Sequence, residues 1–223
     1  MLRISCILLC VTFCFSRLTG QTIYASAKMD ASVIVKTRGG DNLSESHITV
    51  YFLNGKLKVI TKSQTAESIS LVDEKNKKYT QLTEILGKKL GYSIALDGTD
   101  KADDSVEFVY VDSTKTINGF RTKKCEITPN GNSGIGKITV WYNPDLKFKD
   151  SSSLGINLPG IKKLKGYPIV VETTTKGVRL NYFVTSIDVN PQIDQGEFEI
   201  PKGYEIYTLE EYKKQVAKIA SGK

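Results

Sequence analysis

Residues 46–61 read Ser-His-Ile-Thr-Val-Tyr-Phe-Leu-Asn-Gly-Lys-Leu-Lys-Val-Ile-Thr, a sequence that indicates a β protein. Two runs rich in β-branched and aromatic residues lie on either side of Asn54-Gly55. An Asn-Gly pair between two such runs is the strongest short-range signal for a β-hairpin. The sequence therefore predicts strands over residues 46–52 and 56–61, joined by a tight turn.

The same pattern of short β-rich runs separated by turn residues continues along the chain. The further predicted strands cover residues 67–72, 77–82, 105–111, 120–128, 136–142, 167–175, 178–189 and 198–201. Because most of these runs follow one another through short turns, we expect a single antiparallel sheet of nine to eleven strands. No domain linker and no internal repeat interrupts it.

Two segments have a helical pattern. Apolar residues recur at helical spacing before Gly91, which predicts a short helix over residues 83–90. Thr208, followed three residues later by Glu211, forms a capping box, which predicts a final helix over residues 208–220. The fold class is thus mainly β with a few helices (α+β).

Several predicted strands carry apolar residues on both faces. In residues 178–189 one face is predicted to hold Val178, Leu180, Tyr182 and Val184, and the other Phe183, Ile187 and Val189. A large sheet of this kind must curve around something or be covered. The interior of the curve is either a cavity for an apolar ligand or a solid core, and the pattern alone favours the solid core.

The first twenty residues have the layout of a secretory signal peptide. Met1-Leu2-Arg3 is positively charged, residues 4–15 are apolar and uncharged, and residues 16–20 are small or polar. We expect cleavage after Gly20 and a single domain over residues 21–223. Because Gln21 stands where a bacterial lipoprotein has its acylated cysteine, we expect no lipid anchor. A soluble protein of the periplasm or the extracellular space, with no transmembrane segment, is predicted.

The composition is poor in catalytic and metal-binding chemistry. The chain has one His, His47, which excludes a two-His metal site within one chain. Of its four cysteines only Cys125 lies beyond the predicted signal peptide, and we expect it to be buried. We predict no catalytic residue, no metal ligand and no cofactor, although a carboxylate-based hydrolase stays open. The net charge of +7 includes no basic run, so no nucleic-acid partner is expected.

The second half of the chain resembles a known family. The segments that carry the resemblance are residues 116–125 (Thr-Ile-Asn-Gly-Phe-Arg-Thr-Lys-Lys-Cys), Val140-Trp141 with Asp145-Leu146, Gly166-Tyr167-Pro168, and residues 198–204 (Phe-Glu-Ile-Pro-Lys-Gly-Tyr). Over about residues 105–207 their order is similar to that of exported bacterial proteins of unknown function whose fold is like that of the outer-membrane lipoprotein carriers. The resemblance implies a LolA-like half-open barrel with a helical cover, enclosing an apolar cavity for lipid or acyl chains.

From this resemblance and the two-faced strands we expect a non-enzymatic binding protein, a monomer, that holds a lipid or an acylated partner. The candidate cavity residues are Phe108, Tyr110, Val140, Tyr142, Ile169, Val171, Leu180 and Tyr182. The candidate lid residues are Ile85, Leu86, Leu154, Ile156, Leu158 and Ile161. The alternative is a structural or interaction module of the cell envelope, with a solid core and a protein partner.

Overall fold

One large curved sheet dominates the structure. The computed structural model describes residues 23–37, 39–96, 106–130, 134–148 and 158–221. Within these ranges there are twelve strands in one sheet, two short strands in a second, one α-helix and two short 3₁₀ helices. The predicted class, a single curved, mainly antiparallel sheet with a helical cover, is confirmed, although that cover includes only one α-helix.

The strands are β1 (Ile23–Tyr24), β2 (Ser26–Lys36), β3 (Asn42–Leu53), β4 (Lys56–Lys62), β5 (Ala66–Asp73), β6 (Lys78–Ile85), β7 (Lys88–Ala95), β8 (Val106–Ile117), β9 (Phe120–Pro129), β10 (Ile138–Asn143), β11 (Lys147–Phe148), β12 (Tyr167–Thr175), β13 (Val178–Val189) and β14 (Glu205–Tyr207). The 3₁₀ helices are Ile161–Lys163 and Gln195–Phe198, and the α-helix, α1, is Leu209–Ala220.

The sheet consists of two meanders joined through β2. Its strand order is β14-β7-β6-β5-β4-β3-β2-β13-β12-β10-β9-β8. Strand β2 pairs antiparallel with β3 on one side and with β13 on the other. The short strand β14 pairs parallel with β7 at one edge, and β11 pairs parallel with β1 outside the large sheet. The edge strand at the opposite end is β8.

One face of the sheet carries most of the buried apolar side chains, and we call it the inner face. Its fully or nearly buried members from the strands are Ala27, Met29, Ala31, Ile48, Val50, Phe52, Val59, Cys125, Ile127, Ile138, Val140, Tyr142, Tyr167, Ile169, Val171, Tyr182 and Val184. These residues belong to β2–β4, β9, β10, β12 and β13 and form one continuous cluster. The core of the protein therefore lies on this face.

A smaller cluster lies on the opposite, outer face of β5 and β6. Ile69, Leu71 and Leu82 are buried there, with Tyr204 packed against them. Helix α1 instead contacts the inner-face side of β6 and β7, where the hydroxyls of Tyr212 and Thr83 are 2.8 Å apart. The predicted capping box is confirmed, because Thr208 accepts a hydrogen bond from the Glu211 backbone and Glu211 accepts one from Thr208.

The helix predicted over residues 83–90 is wrong. Residues 78–85 and 88–95 are the paired strands β6 and β7, and Leu86-Gly87 is their two-residue turn. Both turn residues have positive φ, 50° and 77°, as a primed hairpin turn requires. The apolar residues at helical spacing lie on different faces of the sheet. Leu82 is in the outer cluster, whereas Leu90 is paired with Thr83 and shares the inner face with it.

Two further predictions for the second half of the chain need correction. Residues 195–198 form a 3₁₀ helix instead of leading into a strand at 198–201, because the Asp194 side chain accepts a hydrogen bond from the Gly196 backbone at 2.7 Å. In β13 the pairing with β2 shifts between Val184 and Ser186. One extra residue reverses the alternation, so Ile187 lies on the inner face and not on the face predicted from the sequence.

Four hairpin turns share one geometry, and only one has a large apolar residue in the left-handed position. The turns are Asn54-Gly55, Leu86-Gly87, Asn118-Gly119 and Lys176-Gly177, with φ of 47–50° followed by 77–83°. Left-handed φ costs about 1–2 kcal/mol for an ordinary residue and less for Asn. Leu86 is also 81% exposed, so its side chain contributes little packing in return.

We therefore expect Leu86→Asn to raise the free energy of unfolding by about 1 kcal/mol. The measurement is denaturant unfolding followed by fluorescence of the single Trp, Trp141. Leu86→Ala is the control, because it removes the same exposed side chain but keeps the left-handed strain. Equal stability of the two variants would contradict the explanation.

Candidate functional site

The register of the sheet brings all eight predicted cavity residues to the inner face. Phe108 is opposite Ile127, and Tyr110 is opposite Cys125, which is itself opposite Val140. From Val140 the same face continues through Val171 to Tyr182 on β13. Tyr142, Ile169 and Leu180 belong to the same apolar cluster. The residues come from four strands, so only the sheet places them together.

These eight residues differ in exposure along the face. Val140, Ile169 and Val171 are completely buried, and Tyr142 and Tyr182 are nearly so. Phe108 is half-buried and Tyr110 is 37% exposed, at the edge strand β8. Their rings stack with centroids 6.1 Å apart. The apolar face thus runs from a closed centre to an open aromatic edge.

The covering segment, defined here as residues 158–166, crosses part of this face. Its residues Ile161 and Leu164 are buried in the inner-face cluster, and Leu158 packs against that cluster. A Cβ at Gly160 would lie 2.6 Å from Val106 Cγ2 and 3.1 Å from Phe108 Cζ. The backbone of Gly160 therefore lies directly on the side chains of β8, which leaves no room for a larger residue.

At the open edge, the ammonium group of Lys165 lies over the Tyr110 ring. The Nζ of Lys165 lies 4.6 Å from the centroid of the Tyr110 ring. Such a contact is attractive through the ring quadrupole. The end of the covering segment is thus held to the aromatic edge through Tyr110, which also interacts with the Lys165 backbone.

The predicted lid residues divide into three groups. Leu158 and Ile161 contact the inner-face cluster. Ile85 and Leu86 do not cover it, since they lie at the turn between β6 and β7. Leu154 and Ile156 lie outside the described residues.

Phe148 is a part of the site that the sequence did not single out. Its ring makes edge contacts with Tyr167 at 5.2 Å and with Phe52 at 6.2 Å, and a tilted contact with Tyr24 at 6.0 Å. The pairing of β11 with β1 places it there. A two-residue strand next to Pro144-Asp145 has no periodic pattern, so no sequence signal marks this position.

Burial favours the neutral form of five titratable side chains on the inner face. Burial raises the pKa of the Cys125 thiol to about 11 and the pKa of Tyr182 to about 12. Burial also raises the pKa of Tyr110 and of Tyr142, and that of Tyr167 well above its usual range. Desolvation is the largest cause in every case, as expected in a medium of low polarity. The prediction that Cys125 is buried is confirmed.

Three hydroxyls on the inner face, those of Tyr167, Thr173 and Tyr182, are buried without a well-formed hydrogen bond to the described residues, although the Tyr167 and Tyr182 hydroxyls interact with each other. Buried polar groups are almost always hydrogen-bonded in proteins. An unpaired buried hydroxyl costs about 1–3 kcal/mol. The centre of the apolar face therefore contains polar groups that the described protein atoms do not satisfy.

A separate cleft of about 240 Å³ lies on the outer face, between β4–β6 and residues 198–200. Its polar rim is already engaged by protein groups. Lys56 donates to Gln195 at 3.4 Å, and Asp73 accepts from the Asn76 backbone and side chain. The inner face is the stronger candidate, because its buried hydroxyls have no such partners in the described part of the chain.

Other candidate chemistry is sparse. His47 is exposed on β3, with its Nδ1 3.3 Å from the Ser32 hydroxyl. No group of three or more His, Cys, Asp or Glu side chains that could bind a metal occurs among the described residues. In that same part of the chain, no helix has the length and apolar character needed to cross a membrane.

Comparison with known proteins gives similarity in fold. No family model matches the sequence, and no curated protein matches it. The structure is similar to that of PNGF-II, with a TM-score of 0.50 and 18% identity over 87% of this chain. The chain spans 34% of the length of that protein. At this identity the similarity concerns the fold alone.

Two smaller proteins of similar structure match with lower scores. For the lipoprotein LppX of Mycobacterium tuberculosis the TM-score is 0.40 at 11% identity, covering 77% of this chain and 89% of that one. For a DUF1329 family protein of Desulfovibrio piger the TM-score is 0.38 at 10% identity, covering 79% of this chain and 90% of that one. The predicted resemblance to the LolA-like fold is confirmed as a resemblance in fold.

The close approach of Gly160 to β8 yields a test of the covering segment. Gly160 and Gly177 both have left-handed φ, 75° and 83°, but a Cβ at Gly177 would meet nothing within 4 Å. We expect Gly177→Ala to lose about 1–2 kcal/mol of unfolding free energy through backbone strain. We expect Gly160→Ala to lose a further ~1–3 kcal/mol through overpacking.

Urea unfolding of the two variants, followed by Trp141 fluorescence, measures the difference. If Gly160→Ala and Gly177→Ala are equally stable, the segment does not pack on the inner face as described.

Proposed function

We propose that this chain is a non-enzymatic exported protein that holds a hydrophobic ligand, a lipid or an acylated partner, between the inner face and the covering segment. The observation that carries the proposal is the continuous apolar face, which runs from the buried centre at Val140 and Val171 to the half-exposed pair Phe108 and Tyr110. The pattern of residues 1–20 supports export to the periplasm or the extracellular space.

The energetics of such a site would come from apolar burial. Removing apolar surface from water contributes about 25 cal/mol per Å², before the loss of ligand freedom is subtracted. Since the inner-face tyrosines and Cys125 stay neutral, no buried charge opposes an apolar ligand. The same neutrality leaves the described part of the face without a ready general base or nucleophile.

Ligand entry is proposed at the β8 edge. Here Tyr110 is 37% exposed, and the covering segment ends in the Lys165–Tyr110 contact. Ile161 and Leu164 occupy part of the apolar face in this structure, so a ligand must displace them or lie beside them. Affinity would therefore depend on how easily residues 158–166 separate from β8.

Adjacent residues on β8 provide a matched test. Phe108 faces the inner side, whereas Val109, opposite Glu126, faces the outer side and is 45% exposed. Phe108→Ser should weaken binding of the neutral probe 1-N-phenylnaphthylamine about tenfold, since about 60 Å² of lost apolar contact corresponds to ~1.5 kcal/mol. Val109→Ser should leave the affinity unchanged.

Fluorescence titration of the probe gives both affinities, and lipid extraction with mass spectrometry of protein purified from cells identifies any natural ligand. Absence of probe binding in the unsubstituted protein, together with empty lipid extracts, would overturn the proposal.

The second candidate is an envelope interaction module with a solid core. The packing of Ile161 and Leu164 on the inner face favours it, because the chain itself fills part of that face. Its docking site would be the edge strand β8, which is paired on one side only within the described sheet. Crosslinking from β8 to one specific envelope protein, with empty lipid extracts, would support this alternative.

A further inference from the structure

Tyr167 and Tyr182 bring two hydrogen-bond donors into the most apolar part of the inner face. Tyr167 is 5% exposed and Tyr182 is 4% exposed. The strands β12 and β13 that carry them are adjacent in the sheet. The two phenol hydroxyls lie next to each other and interact, but the contact between them falls short of full hydrogen-bond geometry. Neither hydroxyl makes a well-formed hydrogen bond to a described protein group.

The surroundings of the pair are uncharged. Val171 is opposite Tyr182 across the β12–β13 ladder, Val33 is opposite it on β2, and the Phe148 ring contacts Tyr167. No charged side chain of the described residues contributes to the pKa shift of either tyrosine. A carboxylate placed here would be an anion taken out of water without a cationic partner, which is strongly unfavourable.

We propose that the hydroxyls of Tyr167 and Tyr182 donate hydrogen bonds to an uncharged oxygen acceptor on the bound ligand, an ester carbonyl at the head of an acyl chain, and that this site rejects an ionised carboxylate. The proposal rests on the proposed function and deepens it, since it adds the chemistry of the ligand head group to that of its chain. The two residues determine specificity and take part in no reaction.

The arrangement explains why two tyrosines occupy positions where phenylalanine would pack equally well. Without a ligand the hydroxyls are buried and poorly satisfied, which destabilises the fold. With a carbonyl oxygen bound, both donors are used. Tyrosine at these positions is therefore unfavourable for stability alone and favourable for selecting a polar head in an apolar site.

The test uses three twelve-carbon probes, dodecane, methyl dodecanoate and dodecanoate, at pH 8, where the acid is ionised. Each displaces 1-N-phenylnaphthylamine from the unsubstituted protein and from the double variant Tyr167→Phe/Tyr182→Phe. We expect the double substitution to weaken the affinity for methyl dodecanoate about tenfold and to leave the affinity for dodecane unchanged. Dodecanoate should bind at least tenfold more weakly than its methyl ester to the unsubstituted protein.

Tyr51→Phe is the control, because Tyr51 is opposite Lys58 on the outer face and its ring lies between Lys28 and Lys58. It should change the affinity of none of the probes. Thermal unfolding without ligand provides the second measurement. The double variant should unfold at the same temperature as the unsubstituted protein or higher, whereas a purely structural role for the hydroxyls would lower that temperature.

The outcomes separate this inference from the proposed function. If all three probes bind but the double substitution affects methyl dodecanoate and dodecane equally, the tyrosine site is overturned and hydrophobic binding stands. The tyrosine site is also overturned if dodecanoate binds as tightly as the ester. If no probe binds, the proposed function fails, and the head-group site fails with it.

Discussion

Strand β2 pairs with both β3 and β13, and this double pairing sets the register of the whole sheet. In the strand order, β2 lies between the meander β3–β7 and the strands that run from β13 to the edge strand β8. Its inner side is lined by the small or flexible residues Ala27, Met29 and Ala31, all nearly inaccessible. On its outer side the Asp30 carboxylate accepts hydrogen bonds from Thr49 on β3 and Ser186 on β13, at 3.0 and 3.1 Å. One residue thus links three strands.

The register set at β2 decides which side chains form the candidate site. Moving a strand by one residue transfers every side chain to the other face. In β13 the extra residue Thr185 shifts the register by one residue and so moves the following side chains to the other face. The Thr185 hydroxyl donates a hydrogen bond to the Asp30 carbonyl oxygen at 3.0 Å. Because of the bulge, Tyr182 and Ile187 share the inner face although their spacing is odd. The place of Ile187 on this face therefore depends on long-range pairing and not on local pattern.

This dependence explains how much the sequence could predict. Hairpins marked by Asn54-Gly55 or by Lys176-Gly177 are local, and both were predicted. The sequence predicts a helix at the Leu86-Gly87 turn because four leucines and isoleucines at helical spacing compete with a turn that lacks Asn. Strand β2 does alternate, but its alanines give a weak hydrophobic signal. The eight cavity residues were predicted to be apolar strand positions, and their common face follows only from the complete strand order.

The contacts of the inner face also bear on the choice between a solid core and a ligand site. Ile161 and Leu164 are as deeply buried as many strand residues, which is what a solid core requires. A core selected for stability alone would not retain two adjacent, poorly satisfied phenols, since phenylalanine preserves their shape without the desolvation penalty. The edge of the same face also keeps stacked aromatics partly exposed. Both features are unfavourable in the isolated chain, and a bound ligand with an apolar chain and an uncharged oxygen acceptor removes both.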